Sequence, residues 1–485
     1  MSLLKNGFYN ALTGLVRAGL VLLTIPILTR LLGIAEYGLW SLVSALVELI
    51  VLSGNGISVT TTVFAAQDLA RKNPDRYLSQ TLTIIAGGVF LLATVSSIGL
   101  FCGSQFITYI FPNLAPTQVQ TAVYALQISG FVVWSRLIQQ VPVGIEQAYQ
   151  QYGYLNLLNT IQAILLHVGM MVIAASGGKI IELMQWQACL YTLISIGHLW
   201  LVRKLLKANL VKLSWDASKA VEIGKHSLTN LFLCIGNVIF GRGDRIVVAY
   251  FLTPEILGMY AAITDIAAGM TTLSNLPVQP LISLLGKHSL NESQSQSKFK
   301  SQIKQSLELN MTLALGIGAW LFALAPLIVQ GLLAKTSSDS NTIVAFRVAI
   351  VIYALISINS VGFFTLLALD VNLCTITFVI SAFTALSLIV IGAKQFGLIG
   401  ALAGNVGFFL SWSMLFSGME KLKLPRWFWL KYSIFPLTWF FCFIGIVMLA
   451  GNNLSLSIGI SGLETLPLIY WFLREYKDNQ RLAAI

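Results

Sequence analysis

The chain has 485 residues, 56% of them hydrophobic and only 10% charged, with a formal net charge of +11. Soluble domains carry about 25% charged residues, so this composition leaves too little polar surface for a water-soluble fold. Apolar runs of about 20 residues recur from end to end, each long enough to cross a hydrocarbon core as a helix, and the alternating short strands of a membrane barrel are not seen.

The expected fold class is an all-α polytopic membrane protein. Its first span, Phe8–Leu32, is too long for a signal-peptide core and has no small-residue cleavage site behind it, so it reads as a retained helix. Further spans begin near Tyr37, Ser79, Gln118, Tyr154, Ile180, Ser227, Ile256, Ser306, Thr342, Leu373, Phe396, Leu430 and Leu454, for about 14 helices in all. The five cysteines, Cys102, Cys189, Cys234, Cys374 and Cys442, lie singly and read as buried apolar thiols. The four histidines are scattered, so neither a metal site nor a cofactor is expected.

Basic residues set the orientation, because cytoplasmic loops retain Lys and Arg. With the N-terminus inside, 21 of the 30 Lys and Arg fall in cytoplasmic segments, among them Arg71, Lys72, Lys219 and Lys225. Only Arg30, Lys179, Lys335 and Lys394 fall outside. Both termini are therefore expected in the cytoplasm, and the net charge is mostly a topology signal. Nucleic-acid binding needs a folded basic domain, and none is evident.

Five arginines remain within the membrane: Arg17, Arg136, Arg242, Arg245 and Arg347. The stretch "NVIFGRGDRIVVAYFL", Asn237–Leu252, concentrates two of them around Asp244. A charge at the bilayer centre costs about 2.5–3.5 kcal/mol even on lenient scales, so such residues mark functional interiors. For Asp244 and Arg245, a structural ion pair and a working site both stand. Arg17 and Arg136 have no acid adjacent in sequence and read as ligands for an anion.

A shift of 220 residues lays Lys5–Trp40 on Lys225–Tyr260 without a gap. Asn10, Arg17 and Thr24 fall on Asn230, Asn237 and Asp244, a seven-residue spacing that keeps each set on one helical face. Six helices separate the copies, so both run the same way across the membrane, as in a transporter of two parallel repeats with a pseudo-two-fold axis along the membrane normal. The expected division is a lobe at 1–210, a second at 211–420, and helices 13 and 14 with a tail at 421–485. Polar stripes on helices 1, 4, 7 and 8 imply a water-filled cavity between the lobes. Its charges are Glu48, Asp244 and Asp265 against Arg17, Arg136, Arg242 and Arg245, with Arg347 nearer the outer end. An arginine excess suits an anionic ligand such as a diphosphate, which a guanidinium binds through two oxygens.

Two segments carry a family resemblance. "IPILTRLLGIAEYGLWSLV", after an Asn- and Arg-bearing first helix, and "DRIVVAYFLTPEILGMYA" resemble the signatures of Wzx-type polysaccharide flippases. These belong to the multidrug/oligosaccharidyl-lipid/polysaccharide exporter superfamily. Thr253-Pro254 stands where that family commonly has a glycine. The resemblance implies a flippase that moves a polyprenyl-diphosphate-linked oligosaccharide across the inner membrane by alternating access, for surface polysaccharides such as O-antigen. The cavity residues expected to bind it are Arg17, Arg136, Arg242, Arg245, Asn10 and Asn237. Glu48, Asp244 and Asp265 are the ion-coupling candidates, for Na+ or H+, and a glycan polymerase is the expected protein partner. A lipid II or teichoic-type precursor flippase, or a multidrug/ion antiporter of the same superfamily, are the alternatives. A membrane glycan polymerase is disfavoured, because the longest outer loop, Cys102–Thr117, offers only Tyr109 and Cys102 as ionisable groups. No GxxxxGK[ST] appears, which argues against an ATP-driven pump.

Overall fold

The computed structural model describes residues 3–206, 213–276, 278, 281, 285, 296–333, 340–449, 459, 461–463 and 465–474; of these, 3–13, 15, 17–18, 53, 55, 229–241, 296–299 and 333 are described by backbone alone. The described residues form helices and turns, with no strand among them. Every expected helix start falls inside a described helix except the one near Leu454, which lies outside the described residues. Contacts divide the chain into two compact units, Met1–Met259 and Tyr260–Ile485.

The first unit begins with α1 (Leu3–Leu32), which ends at Gly33. The φ of +85° at Gly33, a region that L side chains avoid, turns the chain directly into α2 (Ile34–Ser53). The single helix expected from Tyr37 onward is broken at Gly54, where α3 (Asn55–Leu69) starts. A Cβ on Gly54 would lie 2.3 Å from Leu137 Cδ2, so the break seats against α5 (Pro116–Ala148). Between α4 (Pro74–Gly103) and α5 the expected outer loop is largely helical, and Ile107 and Phe111 are buried.

Helix α5 is the centre of this unit and packs against α2, α3, α4 and α7 (Ile180–Leu205). Small residues permit the close approach. Gly130 abuts Ser97, and Gly144 abuts Ser58 and Thr61. Between α5 and α7, Glu146 and His198 are fully buried and joined, with His198 Nδ1 2.9 Å from Glu146 Oε1. Helix α6 (Tyr152–Ala175) covers α1 and α7.

Helix α8 (Ala217–Phe251) is capped by Asp216, whose carboxylate accepts from Ser218 Oγ at 2.7 Å and from Lys219 N at 3.1 Å. The Ser218 hydroxyl first, and then the Lys219 amide, hold that carboxyl below the usual carboxylate range. Lys219 then turns inward. Its ammonium donates to Asp68 Oδ1 and Oδ2 at 2.9 and 2.7 Å and to the Tyr77 carbonyl at 2.9 Å, which uses all three of its protons. Thr81 Oγ1 donates to the same carboxylate at 2.5 Å. Ile223 packs into an apolar cluster with Phe64, Leu78 and Leu82. The start of α8 is thus pinned to α3 and α4, and its far end meets α2. The lobes 1–210 and 211–420 and the appendage 421–485 rest on the repeat, a criterion different from contact.

Helix α9 (Pro254–Asn275) starts in the first unit and from Tyr260 belongs to the second, where it leads to α10 (Gln296–Ala323), α11 (Ala325–Leu333), α12 (Ser340–Ser357) and α13 (Ser360–Leu369). Helix α14 (Val371–Gly404) reverses at Gly397, where φ is +59° and ψ −133°. The two legs pack through glycines. A Cβ on Gly392 would lie 2.1 Å from the Gly400 carbonyl oxygen, and one on Gly404 would lie 2.5 Å from Ile389 N. This hairpin accounts for the two helices expected at Leu373 and Phe396. After α15 (Ser413–Lys421) and α16 (Phe428–Leu449), Thr465 accepts a hydrogen bond from Trp320 Nε1 of α10 at 3.1 Å.

The cysteine expectation needs correction. Cys374 is buried, but Cys102, Cys189 and Cys442 are exposed. A helix bathed in lipid presents apolar residues outward as well as inward, so an apolar thiol there signals no burial.

Candidate substrate site on α2

The site is built on one face of α2. Tyr37, Ser41, Ser44 and Glu48 recur at three- and four-residue intervals and so share that face. Two of the expected arginines reach it, both within the first unit.

Arg136, from α5, binds Glu48 through both nitrogens of its fork, Nη1 to Oε1 at 2.5 Å and Nη2 to Oε2 at 3.4 Å. Its guanidinium lies 5.0 Å over the Tyr191 ring of α7. The pair is only partly sealed, with side-chain exposures of 17% and 27%. An arginine with no acid adjacent in sequence thus takes one from 88 residues away.

Arg245, from α8, is 4% exposed. Its Nη1 donates to Ser41 Oγ at 2.7 Å, and Ser41 is itself fully buried. Asp244 accepts from the Arg245 backbone amide at 2.8 Å, so it shapes the helix beneath the arginine. Arg242 and Asp244 are half-buried on the same helix.

Seven residues separate Ser41 from Glu48, which places the two arginine contacts about 10 Å apart along α2. Between them lies Ser44; its buried hydroxyl and the buried Trp40 Nε1, one turn before it, have no hydrogen-bond partner among the described residues. Groups of this kind are expensive to bury.

The other expected residues distribute as follows. The side chains of Asn10, Arg17 and Asn237 lie outside the described residues. Asp265 sits half-buried on α9, in the second unit. Arg347 is held within that unit, its guanidinium 5.0 Å over the Phe322 ring and its Nε 3.4 Å from the Phe322 carbonyl oxygen. Its polar interior also holds Glu308 beside Lys304 at 3.4 Å, Thr271 against Ser357 at 2.8 Å, and Asn310 Nδ2 donating to the Ser274 carbonyl at 3.2 Å. Sequence reading missed Ser41, Ser44 and Tyr191. The spacing 37, 41, 44, 48 was the available signal for the two serines. Among the described residues, no group of three or more His, Cys, Asp or Glu side chains has the arrangement of a metal site.

The chain shares its fold with solved transporters. It is similar to a lipid II flippase MurJ in an inward closed conformation, at 15% identity over 98% of this chain and 100% of that one, with a TM-score of 0.72. It is also similar to an inward-facing multidrug resistance MATE transporter of the MOP superfamily, at 14% identity over 87% and 95% of the two chains and a TM-score of 0.66. A third likeness is to a MOP superfamily transporter from Pyrococcus furiosus described as having a binding pocket of reversed polarity, at 12% identity over 86% and 96%, TM-score 0.54. These identities establish a shared fold. The sequence matches no curated protein. The family model for polysaccharide biosynthesis proteins matches residues 3–286, more than half the chain, and the protein belongs to that family.

Proposed function

We propose that the protein is a flippase that carries a polyprenyl-diphosphate-linked oligosaccharide across the cytoplasmic membrane by alternating access of the two repeat lobes. The observation that carries this reading is the pair of arginines held on one face of α2, Arg245 by Ser41 and Arg136 by Glu48. They serve as successive stations for the diphosphate. Arg136 receives it in exchange for Glu48, and Arg245 holds it before release. Arg17, Arg242, Asn10 and Asn237 complete the binding set, and Glu48, Asp244 and Asp265 are the candidates for ion coupling. The basic end of the bundle, with Arg71, Lys219 and Lys421, faces the cytoplasm in this reading, and a glycan polymerase takes the product on the other side.

A lipid II precursor is the second reading, supported by the fold shared with MurJ over essentially the whole of both chains. Both cargoes present a diphosphate to the same arginines. Proteoliposomes offered each lipid in turn separate them, since the true cargo is flipped and the other is left.

Two outcomes are expected here. Arg245→Lys should reach normal levels in the membrane and flip about ten-fold more slowly, because a point charge replaces a planar fork. Undiminished flipping would remove Arg245 from the diphosphate path. A reporter active only outside the cytoplasm, fused after Arg474, should be silent; strong activity there would invert the orientation and the order of the stations.

A further inference from the structure

In the second unit, a cavity of about 350 Å³ opens to the surface between α15 and α16, lined by Ser413, Phe416, Ser417, Glu420, Arg426 and Trp427. Sequence apolar enough to span a membrane stops at Lys421 and resumes at Phe428, so the cavity lies where hydrocarbon meets water. Phe416 and Trp427 form its aromatic wall, edge to face with ring centroids 5.0 Å apart, and Trp427 is 64% exposed. Tryptophan is enriched at that depth, where its ring reaches both apolar and polar surroundings. Ser413, Ser417 and Glu420 recur at three- and four-residue intervals and give one face of α15 a polar stripe.

Across the cavity, Arg426 Nε and Nη2 donate to Glu420 Oε2 and Oε1 at 3.1 and 2.9 Å. The turn closes without this pair. Lys423, at φ +56°, donates its amide to the Glu420 carbonyl at 2.9 Å, and the Leu424 amide reaches the Met419 carbonyl at 2.9 Å. Phe428 N then bonds the Pro425 carbonyl at 2.8 Å. Both charged side chains are more than half exposed, and such a pair contributes only about 0–1 kcal/mol to stability. The pair is also only partly used. Its two bonds leave three guanidinium N–H groups on Arg426 and a lone pair on each Glu420 oxygen.

A cation and an anion side by side, each with bonding capacity left, match a ligand that carries both charges a few bonds apart. We propose that this cavity binds the headgroup of a zwitterionic phospholipid with a primary ammonium, phosphatidylethanolamine. The remaining N–H groups of Arg426 take the phosphate oxygens, and Glu420 takes the ammonium. Phe416 and Trp427 flank the glycerol. A choline headgroup has no N–H to give Glu420, and a glycerol headgroup brings a phosphate but no cation to face it. In the orientation that the basic residues predict, this is the inner leaflet. The proposal needs only that the chain spans a membrane and is independent of the cargo.

The test titrates the full-length protein in detergent with phosphatidylethanolamine, phosphatidylcholine and phosphatidylglycerol of identical acyl chains, counting bound lipids by native mass spectrometry. The ethanolamine lipid should fill its first site at a concentration at least ten-fold below the other two. Glu420→Gln and Arg426→Gln should each erase that preference. Equal binding of all three lipids would overturn the proposal, and so would first occupancy by phosphatidylglycerol, which marks a plain anion site. A third variant, Glu420→Arg with Arg426→Glu, keeps a pair but exchanges its ends. The phosphate is tied to the glycerol and the ammonium is the free end, so this variant should keep its melting temperature and lose the preference. An ethanolamine preference that survives the exchange would reduce the pair to a brace for the turn, and one that survives in all three variants would place the lipid elsewhere.

Discussion

Lys219→Met should sharply lower the melting temperature and the amount of folded protein in the membrane. The substitution keeps the length and apolar stem of the side chain but strips Asp68, which is 1% exposed, of the ammonium that answers both of its oxygens. Thr81 remains, and Arg71 lies 3.8 Å away, but its side chain is 48% exposed and offers a screened charge. Removing one partner of a buried pair costs about 3–5 kcal/mol, a large part of the ~5–15 kcal/mol that holds a typical domain folded. The Asp68→Asn, Lys219→Met double variant removes both charges and should recover most of the folded protein, measured as monodisperse material in detergent and by its melting temperature. Normal accumulation of Lys219→Met alone would mean that the pair does not fasten α8 to α3 and α4.

Arg136→Ala should abolish export, and its double variant separates the two roles the residue can have. With the arginine gone, Glu48 keeps a carboxylate at membrane depth without its fork partner, so protein levels should fall. Adding Glu48→Gln removes that charge. If Arg136 serves only to neutralise Glu48, the double variant regains both protein and export. In the flippase reading it regains protein but not export, since no guanidinium remains to receive the diphosphate; export is expected to stay at least 100-fold down, about 2.7 kcal/mol in rate. Export restored in the double variant would reduce Arg136 to a structural counter-ion. Glu48→Gln alone should bind diphosphate lipids more tightly, because the anion no longer competes with a carboxylate.

Period and length made the helices legible. A 20-residue apolar run has few alternatives in lipid, and helix starts such as Ile180 and Phe396 fall where the sequence places them. The break at Gly54 was not legible, because it is set by Leu137 from another helix. Partnerships were the least legible part. Arg136 looked unopposed until α5 laid it beside Glu48, and Lys219 looked like one more solvated topology charge until it met Asp68, 151 residues earlier. Charge counting treats every loop lysine alike, whereas the fold singles out one whose three protons all find acceptors.

The glycine-lined reversal at Gly397 bears on the order in which the chain becomes ordered. By flexible-chain scaling, closing the eight residues between Gly392 and Gly400 costs roughly 2 kcal/mol of entropy, against about 4 kcal/mol for the 88 residues between Glu48 and Arg136. The turn is short, with Lys394 and Gln395 as its polar side chains. The two legs of α14 therefore suit entry into the bilayer as a single wedge, docked to each other before either meets α10 or α12, so that the second unit has a finished piece to assemble on while the long-range ion pairs of the first are still searching.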